Sequence, residues 1–450
     1  RGARNVTIIV DANKFQTEFL VQNTKPLPDI EGALRGFGLE TMAVDGHDVA
    51  QIQEAWLWAE GRLAAVVIHT VKAGGSKHTV PGETSQPWHG KVPSWRLYGE
   101  IVQELLETAC APADLIEEWR AHQAVHSCLT DADPEPSPPA KYKGTGPSFG
   151  QLLTTFVERQ PTLAVLDADL ASSCGLSQLN GHECFFEMGI AEQDMVSFAG
   201  GLALGGRLPV VNTYASFYKR AFEQIMVNAS ERSKILYAGH YAGLCYHTDG
   251  KTHQSLNDAT MMLSVPGMVV IDVSCPNDLE QHLEWAVSSA PQTPIYFRLR
   301  RTPAPLVYER LVDACPDVGT PRLISARGEA TATLVAMGTV ATGLALQAVD
   351  REDMAHCNVM IVSVLNGPMN KEFIRHHLSS VQTVITIQDE IAPGCLFSSM
   401  SQLAVRSSTT IAPIALHDFG HSFRTLDACL EYFGFTVDAV VAAVRAHAAK

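Results

Sequence analysis

Three parallel-sheet α/β domains in series are the fold class predicted for this 450-residue chain, and two observations predict it. Short β-rich runs alternate with helical patterns, the sign of strands joined through crossover helices. Two proline-containing stretches, Asp131 to Pro147 and Thr302 to Pro321, interrupt the alternation. Semi-extended prolyl segments of this kind mark domain boundaries. The expected organisation is a first domain over 1–128, a linker over 129–147, a second domain over 148–308 and a third over 309–450.

In the first block, strands are expected at Val6 to Asp11, Thr41 to Val44 and Ala64 to Thr70. Helices are expected at Val49 to Arg62, Trp95 to Thr108 and Pro112 to Ser127. Three strands are few for such a sheet, and Arg1 leads straight into the first of them, so the first domain reads as incomplete.

The second block begins with helix Phe149 to Glu158 and strand Thr162 to Leu166. The next helix runs from Glu192 to about Gly205, with Met195, Phe198, Ala199 and Leu202 on one face, a spacing that predicts burial of that face. Helix Phe217 to Asn228, strands Lys234 to Ala238 and Met268 to Val273, helix Asp278 to Ser289 and strand Ile295 to Leu299 complete the block. In the third, strands Thr333 to Met337, Val359 to Val364 and Val384 to Gln388 alternate with helices Ala341 to Val349, Lys371 to Leu378 and Leu396 to Ala404.

Composition narrows the function classes. Hydrophobic content of 46% and charged content of 18% describe a globular chain. A net charge of -15 argues against nucleic acid, whose phosphates need clustered Lys and Arg. Ten scattered cysteines without a Cys-x-x-Cys pair suggest buried thiols of a reducing, cytoplasmic compartment, with neither a zinc site nor a disulfide framework. No stretch reads as a membrane span.

Polar groups gather where strands of the second block end, the place where open parallel sheets bind ligands. They are Asp167 and Asp169, Glu192, Tyr214 to Arg220, His240 to His253, and Arg298 to Arg301. An acid at a helix N-terminus, as at Glu192, is ordinarily a dipole effect, and an aspartate after a strand is ordinarily a turn or cap.

Their order is more specific. The second block contains Val165-Leu166-Asp167-Ala168-Asp169-Leu170, Gly189-Ile190-Ala191-Glu192-Gln193-x-Met195, Ser216-Phe217-x-Lys219-Arg220-Ala221-Phe222, Asp249-Gly250-x-Thr252-His253-Gln254 and Ile295-Tyr296-x-Arg298-Leu299-x-Arg301. The first contains Val10-Asp11-Ala12-Asn13-x-Phe15-Gln16, Val44-Asp45-Gly46-His47-Asp48, Thr70-Val71-Lys72 and Trp88-His89-Gly90-Lys91-x-Pro93. Together they resemble the transketolase family, nearest to the short bacterial type made of two subunits. The first block is similar to the C-terminal half of its diphosphate-binding domain. The second is similar to its pyrimidine-binding domain, and the third to its C-terminal domain.

The resemblance implies thiamine diphosphate with Mg²⁺ or Ca²⁺, and transfer of a two-carbon ketol unit from a ketose to an aldehyde. It implies Glu192 as the carboxyl that hydrogen-bonds the aminopyrimidine, with His89 and His253 as the other catalytic groups. Phe217, Tyr214, Asp169 and Ile190 fall at cofactor-binding positions, Phe217 as the ring that stacks on the pyrimidine. Asp249, Ser173, Arg301 and His240 fall on the substrate side. Asn13 and the Phe15 carbonyl match metal ligands, and oxygen donors suit Mg²⁺. The sites of this family join two domains, so a homodimer is implied, or a heterotetramer with a subunit that carries the N-terminal half.

Two departures qualify the likeness. The Gly-Asp-Gly that opens the family's diphosphate motif does not precede Asn13. Gly146 and Tyr241 stand where the family carries an arginine and a histidine around the acceptor's phosphate, so an acceptor with a smaller, repositioned or absent phosphate is expected. Two other readings stand beside the first: pyruvate decarboxylation and condensation of the deoxyxylulose-phosphate-synthase type, and a partner-dependent or non-catalytic subunit.

Overall fold

The computed structural model describes residues 6–80, 93–126, 143–311, 313, 317–405 and 407–448. The chain divides into two units, 1–140 and 141–450.

Unit one holds a three-stranded parallel sheet with the order β1-β3-β2, built from β1 (Thr7–Asp11), β2 (Glu40–Asp45) and β3 (Ala64–His69). The run Ala64-Ala65-Val66-Val67 is buried throughout, as a continuous apolar strand in the middle of a parallel sheet should be. Edge strand β1 leaves Ile8 and Ile9 at 41% and 52% exposure. Helix Val49–Ala59 packs on β2 and β3, with Ala55 and Ala59 buried and the Asp48 side chain accepting from the Ala50 and Gln51 N–H groups at its N-terminus. Helices Trp95–Thr108 and Ala113–His126 follow the strands.

Unit two is built on two sheets. Seven strands lie in the order β13-β8-β9-β7-β6-β4-β5. Six of them are β4 (Leu163–Asp167), β5 (Phe185–Glu187), β6 (Leu208–Tyr214), β7 (Leu236–His240), β8 (Val269–Ile271) and β9 (Ile295–Arg298), all parallel. Five more form the order β10-β12-β11-β14-β15: β10 (Arg322–Ile324), β11 (Ala332–Ala336), β12 (Cys357–Ile361), β14 (Thr383–Ile391) and β15 (Thr410–Leu416). Only β10 runs antiparallel there, against β12. The short β13 (Val364–Leu365) leaves the third block of sequence to pair antiparallel with β8. One apolar core accordingly runs from Leu166 and Val211 to Met360 and Val384.

Some elements differ from expectation for identifiable reasons. The helix expected from Phe149 starts at Thr145, inside the anticipated linker, because Pro147 falls in its first turn, where no N–H partner is lost. Strand β6 has no counterpart among the expected elements, since Pro209 interrupts its run. Pro209 is paired with Ala164, while the β6–β7 ladder begins one residue later at Val210, so the missing N–H breaks no bond to β7. Pro413 similarly sits on the sheet-edge strand β15. In helix Glu192–Leu204 the buried face is Met195, Val196, Ala199 and Gly200. Phe198, expected inside, is 40% exposed, and its ring meets the edge of Phe186 at 5.7 Å. Among the described residues, no helix is long and apolar enough to cross a membrane.

Candidate active site

The carboxyl ends of β4, β5, β6, β7 and β9 carry the site of unit two. At the end of β5, Glu187 accepts hydrogen bonds from the N–H groups of Asp169 (2.9 Å) and Gly189 (2.8 Å). Asp167, ending β4, accepts from the Leu170 N–H at 2.6 Å. These bonds fix two left-handed residues, Asp169 at φ 59° and Gly189 at φ 65°. The first is a sparsely populated conformation for a residue with a side chain, and surrounding structure must hold it. Asp169 is wholly buried and Ile190 is half exposed.

Glu192 opens the next helix, with 3% of its side chain exposed. Arg220 Nη1 lies 3.4 Å from its Oε2, and the same guanidinium lies 5.4 Å from the centroid of the Phe217 ring. Phe217 and Arg220 share the 3₁₀ turn Phe217–Ala221 that follows β6. A nearly buried carboxyl, a basic partner and a half-buried aromatic ring therefore meet at one helix N-terminus.

Beside them lies a cluster of rings. Tyr214 stacks on Tyr241 at 4.4 Å between centroids, and Tyr246 meets Tyr241 edge-on at 4.7 Å. His253 touches Phe217 and Tyr246 at 5.4 Å each and Tyr214 at 5.9 Å. Its Nε2 lies 3.9 Å from Asp249 Oδ2, and its Nδ1 lies 2.9 Å from the Thr252 hydroxyl. Tyr241, at φ 58°, donates its hydroxyl to the Ser173 carbonyl at 3.2 Å. Arg301 sits over Tyr241 and Tyr246, 5.4 and 5.0 Å from their centroids. Burial and the nearby Asp249 push the Tyr246 phenol up to about 12, and burial raises Tyr214 and Tyr241 as well, so all three hydroxyls are neutral.

The structure thus gathers Glu192, Phe217, Tyr214, His253, Asp249, Arg301 and Ser173. His240, read from the sequence as a substrate contact, lies fully buried, its Nε2 3.3 Å from Asn212 Oδ1. Burial lowers its pKa to about 3, so the imidazole is neutral and braces the sheet end. His89 lies outside the described residues. Sequence reasoning gives no role to Glu187 or Tyr246. Glu187 stands within the most telling segment, but its function is to bind backbone. Tyr246 is a single aromatic in an aperiodic loop, which leaves no pattern to find.

In unit one, Asn13 Oδ1 accepts from the Phe15 N–H at 2.9 Å, while Asn13 Nδ2 donates to Asp11 at 2.8 Å. The Thr70 hydroxyl is bonded to the same carboxylate. This asparagine closes a turn. The oxygens around it are nevertheless hard donors of the kind Mg²⁺ takes. Among the described residues no group of three or more His, Cys, Asp or Glu is placed to hold a metal by itself.

Residues 143–305 match the transketolase pyrimidine-binding domain. Mouse transketolase is 25% identical over 98% of this chain and 71% of its own length. The 1-deoxy-D-xylulose-5-phosphate synthase 2 of Geobacter sulfurreducens is 26% identical over 87% of this chain and 57% of its own length. A solved structure described as a split gene transketolase, in an inactive beta4 tetramer, has a TM-score of 0.59 and 28% identity. That alignment covers 68% of this chain and 99% of the other. Over residues 143–305 the chain carries a domain of the transketolase pyrimidine-binding type, and the relatives it resembles over most of its length are transketolases and a 1-deoxy-D-xylulose-5-phosphate synthase.

Proposed function

We propose that this chain is transketolase-like: it supplies the pyrimidine side of a thiamine diphosphate site and transfers a two-carbon ketol unit from a ketose to an aldehyde. The observation that carries the reading is Glu192: a carboxyl 3% exposed, at a helix N-terminus, held by Arg220 beside the Phe217 ring. When bound, thiamine diphosphate supplies the carbon nucleophile that adds to the ketose carbonyl. Glu192 would hold the pyrimidine ring nitrogen through a hydrogen bond, and Phe217 would pack on the ring face. His253 is placed to move protons on substrate hydroxyls, with Asp249 at 3.9 Å to orient its imidazole. Asn13 and the Phe15 carbonyl would hold Mg²⁺ on the diphosphate side. A second copy or a separate subunit would complete the site, a reading supported by the split-gene relative, which is described as a tetramer.

Thiamine diphosphate titration by calorimetry, with and without an N-terminal-half subunit, is the direct test. Binding should appear with Mg²⁺. Glu192→Gln should reduce ketol transfer on the order of a hundredfold or more with little change in melting temperature. Absence of binding in both settings would favour a non-catalytic subunit. The similarity to the Geobacter sulfurreducens synthase supports one further alternative, condensation of pyruvate with an aldehyde. Release of CO₂ from pyruvate, in place of ketose cleavage, would select it.

A further inference from the structure

We propose that Arg301, seated on Tyr241 and Tyr246, binds a carboxylate, and that the acceptor of this chain is an aldehyde bearing a carboxylate instead of a phosphate. This deepens the transferase reading above and rests on it.

Arg301 stands out by what it does not touch. The chain carries 48 acidic residues and a net charge of -15, and Arg298 and Arg300 each meet two or more carboxylates. Arg301 is exposed, and among the described residues its guanidinium meets no carboxylate, only the two tyrosine rings. A cation over aromatic faces is oriented but not neutralised. Its planar donors stay available for a fork-shaped anion.

Charge then selects the anion. The His240 imidazole is enclosed and neutral, and burial together with the Arg301 charge keeps the His247 imidazole below its ordinary range. The tyrosine hydroxyls are neutral, and Asp249, bonded to the Tyr246 hydroxyl, adds a negative charge. One guanidinium matches a carboxylate monoanion in charge and in bidentate shape. A phosphate dianion would be left undercompensated beside Asp249, since a phosphate monoester carries close to two charges at neutral pH.

Steric limits point the same way. A Cβ at Gly146 would lie 3.2 Å from both the Arg300 carbonyl and His240 Nδ1, so a second basic side chain has little room there. Tyr241 is 6% exposed, left-handed and anchored to Ser173, a wall that the fold maintains despite its backbone cost. Lys251, on the adjacent 3₁₀ turn 250–252, makes no ion pair among the described residues and serves as the control.

Calorimetric titration of the full chain with butyrate, a carboxylate monoanion, and with inorganic phosphate tests the site without turnover. Butyrate should bind at least about tenfold more tightly, a difference of about 1.4 kcal/mol. Arg301→Ala should abolish that difference and Lys251→Ala should leave it. Tighter phosphate binding, or a preference set by Lys251, overturns the proposal.

Turnover supplies the second arm, with hydroxypyruvate as donor. The bond between its carboxyl and carbonyl carbons breaks to release CO₂. The two-carbon unit then bonds to the acceptor's aldehyde carbon, or takes up a proton when no acceptor is present, and no oxidant is needed. Succinic semialdehyde should exceed glyceraldehyde 3-phosphate in kcat/KM by about tenfold or more. Tyr241→Arg, which adds a second cation, should reverse the order. A wild-type preference for the phosphorylated aldehyde overturns the inference, whereas absence of CO₂ release without any acceptor counts against the transferase reading and leaves the binding arm to decide.

Discussion

Three arginines within four residues meet opposite fates in this chain. Arg298 and Arg300 are fully buried and Arg301 is exposed. Arg298 reaches Asp258 (2.9 Å), Asp272 (3.0 Å), Asp389 (2.9 Å) and Glu390 (3.0 Å), and Arg300 shares Asp272 (2.9 Å) and Asp389 (2.7 Å). Arg301 lies on two ring faces and answers to no acid among the described residues. The difference teaches how one strand end serves two purposes. The buried pair ties the end of β9 to β14 of the other sheet. Asp389 also accepts from the Leu244 N–H at 3.3 Å, and a Cβ on Gly243 would collide with its Oδ2. The loop carrying Tyr241 and Tyr246 is therefore built against the buried charges, and Arg301 inherits a fixed platform without belonging to the network.

The sharpest way to break this contrast is Arg298→Ala. It would leave four carboxylates facing one another around Arg300 alone. Removing one partner of a buried ion pair costs about 3–5 kcal/mol, enough to erase much of a domain's stability. Urea unfolding followed by tryptophan fluorescence should show the loss as a lower midpoint or as failure to fold. A cost below about 1 kcal/mol, the range of exposed pairs, would make Arg298 no different in kind from its exposed neighbour.

The next effect is a pH dependence. The buried cluster holds four carboxylates against two guanidinium groups. Burial, and then the charge of Asp258, push Glu390 up to about 8, against the pull of Arg298. Burial also raises Asp272, whereas Asp258, despite its own burial, is held low by the charge of Arg298. The folded chain keeps a proton on Glu390 that the unfolded chain has already released above its ordinary range near 4.5. This contribution to stability is therefore complete at low pH, falls as pH rises between about 5 and 8, and levels off above that. The slope is at most about 1.4 kcal/mol per pH unit. Glu390→Gln, which cannot ionise, should flatten it. An unchanged slope in urea midpoints from pH 5 to 9 would show that the proton resides elsewhere.

Why this division could not be read in advance is a matter of chain distance. The acids around Arg298 lie between 26 and 92 residues away, so no local signal separates the three arginines, and Arg301 is set apart only through the motif it shares with transketolases. Local signals were legible. Ala64 to Val67 announce a central strand, and helix Trp95–Thr108 lies where its pattern places it. Glu192 is found through a motif and not through its position, since a helix-terminal acid is an ordinary feature. His240 shows the opposite limit. An imidazole among candidate site residues carries no mark of burial, and enclosure makes it a neutral support for the sheet end.

The smallest effect closes the contrast. Arg301→Ala removes a guanidinium whose contacts are two exposed-side cation–π interactions, each worth about 0.5–1 kcal/mol at such sites, and frees an exposed side chain from ordering. Folding stability should shift by no more than about 1 kcal/mol, the scale of a surface change, while the carboxylate preference of the site disappears. Thermal unfolding of this variant beside Arg298→Ala measures both fates in one experiment. A large loss from Arg301→Ala would mean that the ring cluster needs its cation to pack, and Arg301 would join the framework instead of the ligand site.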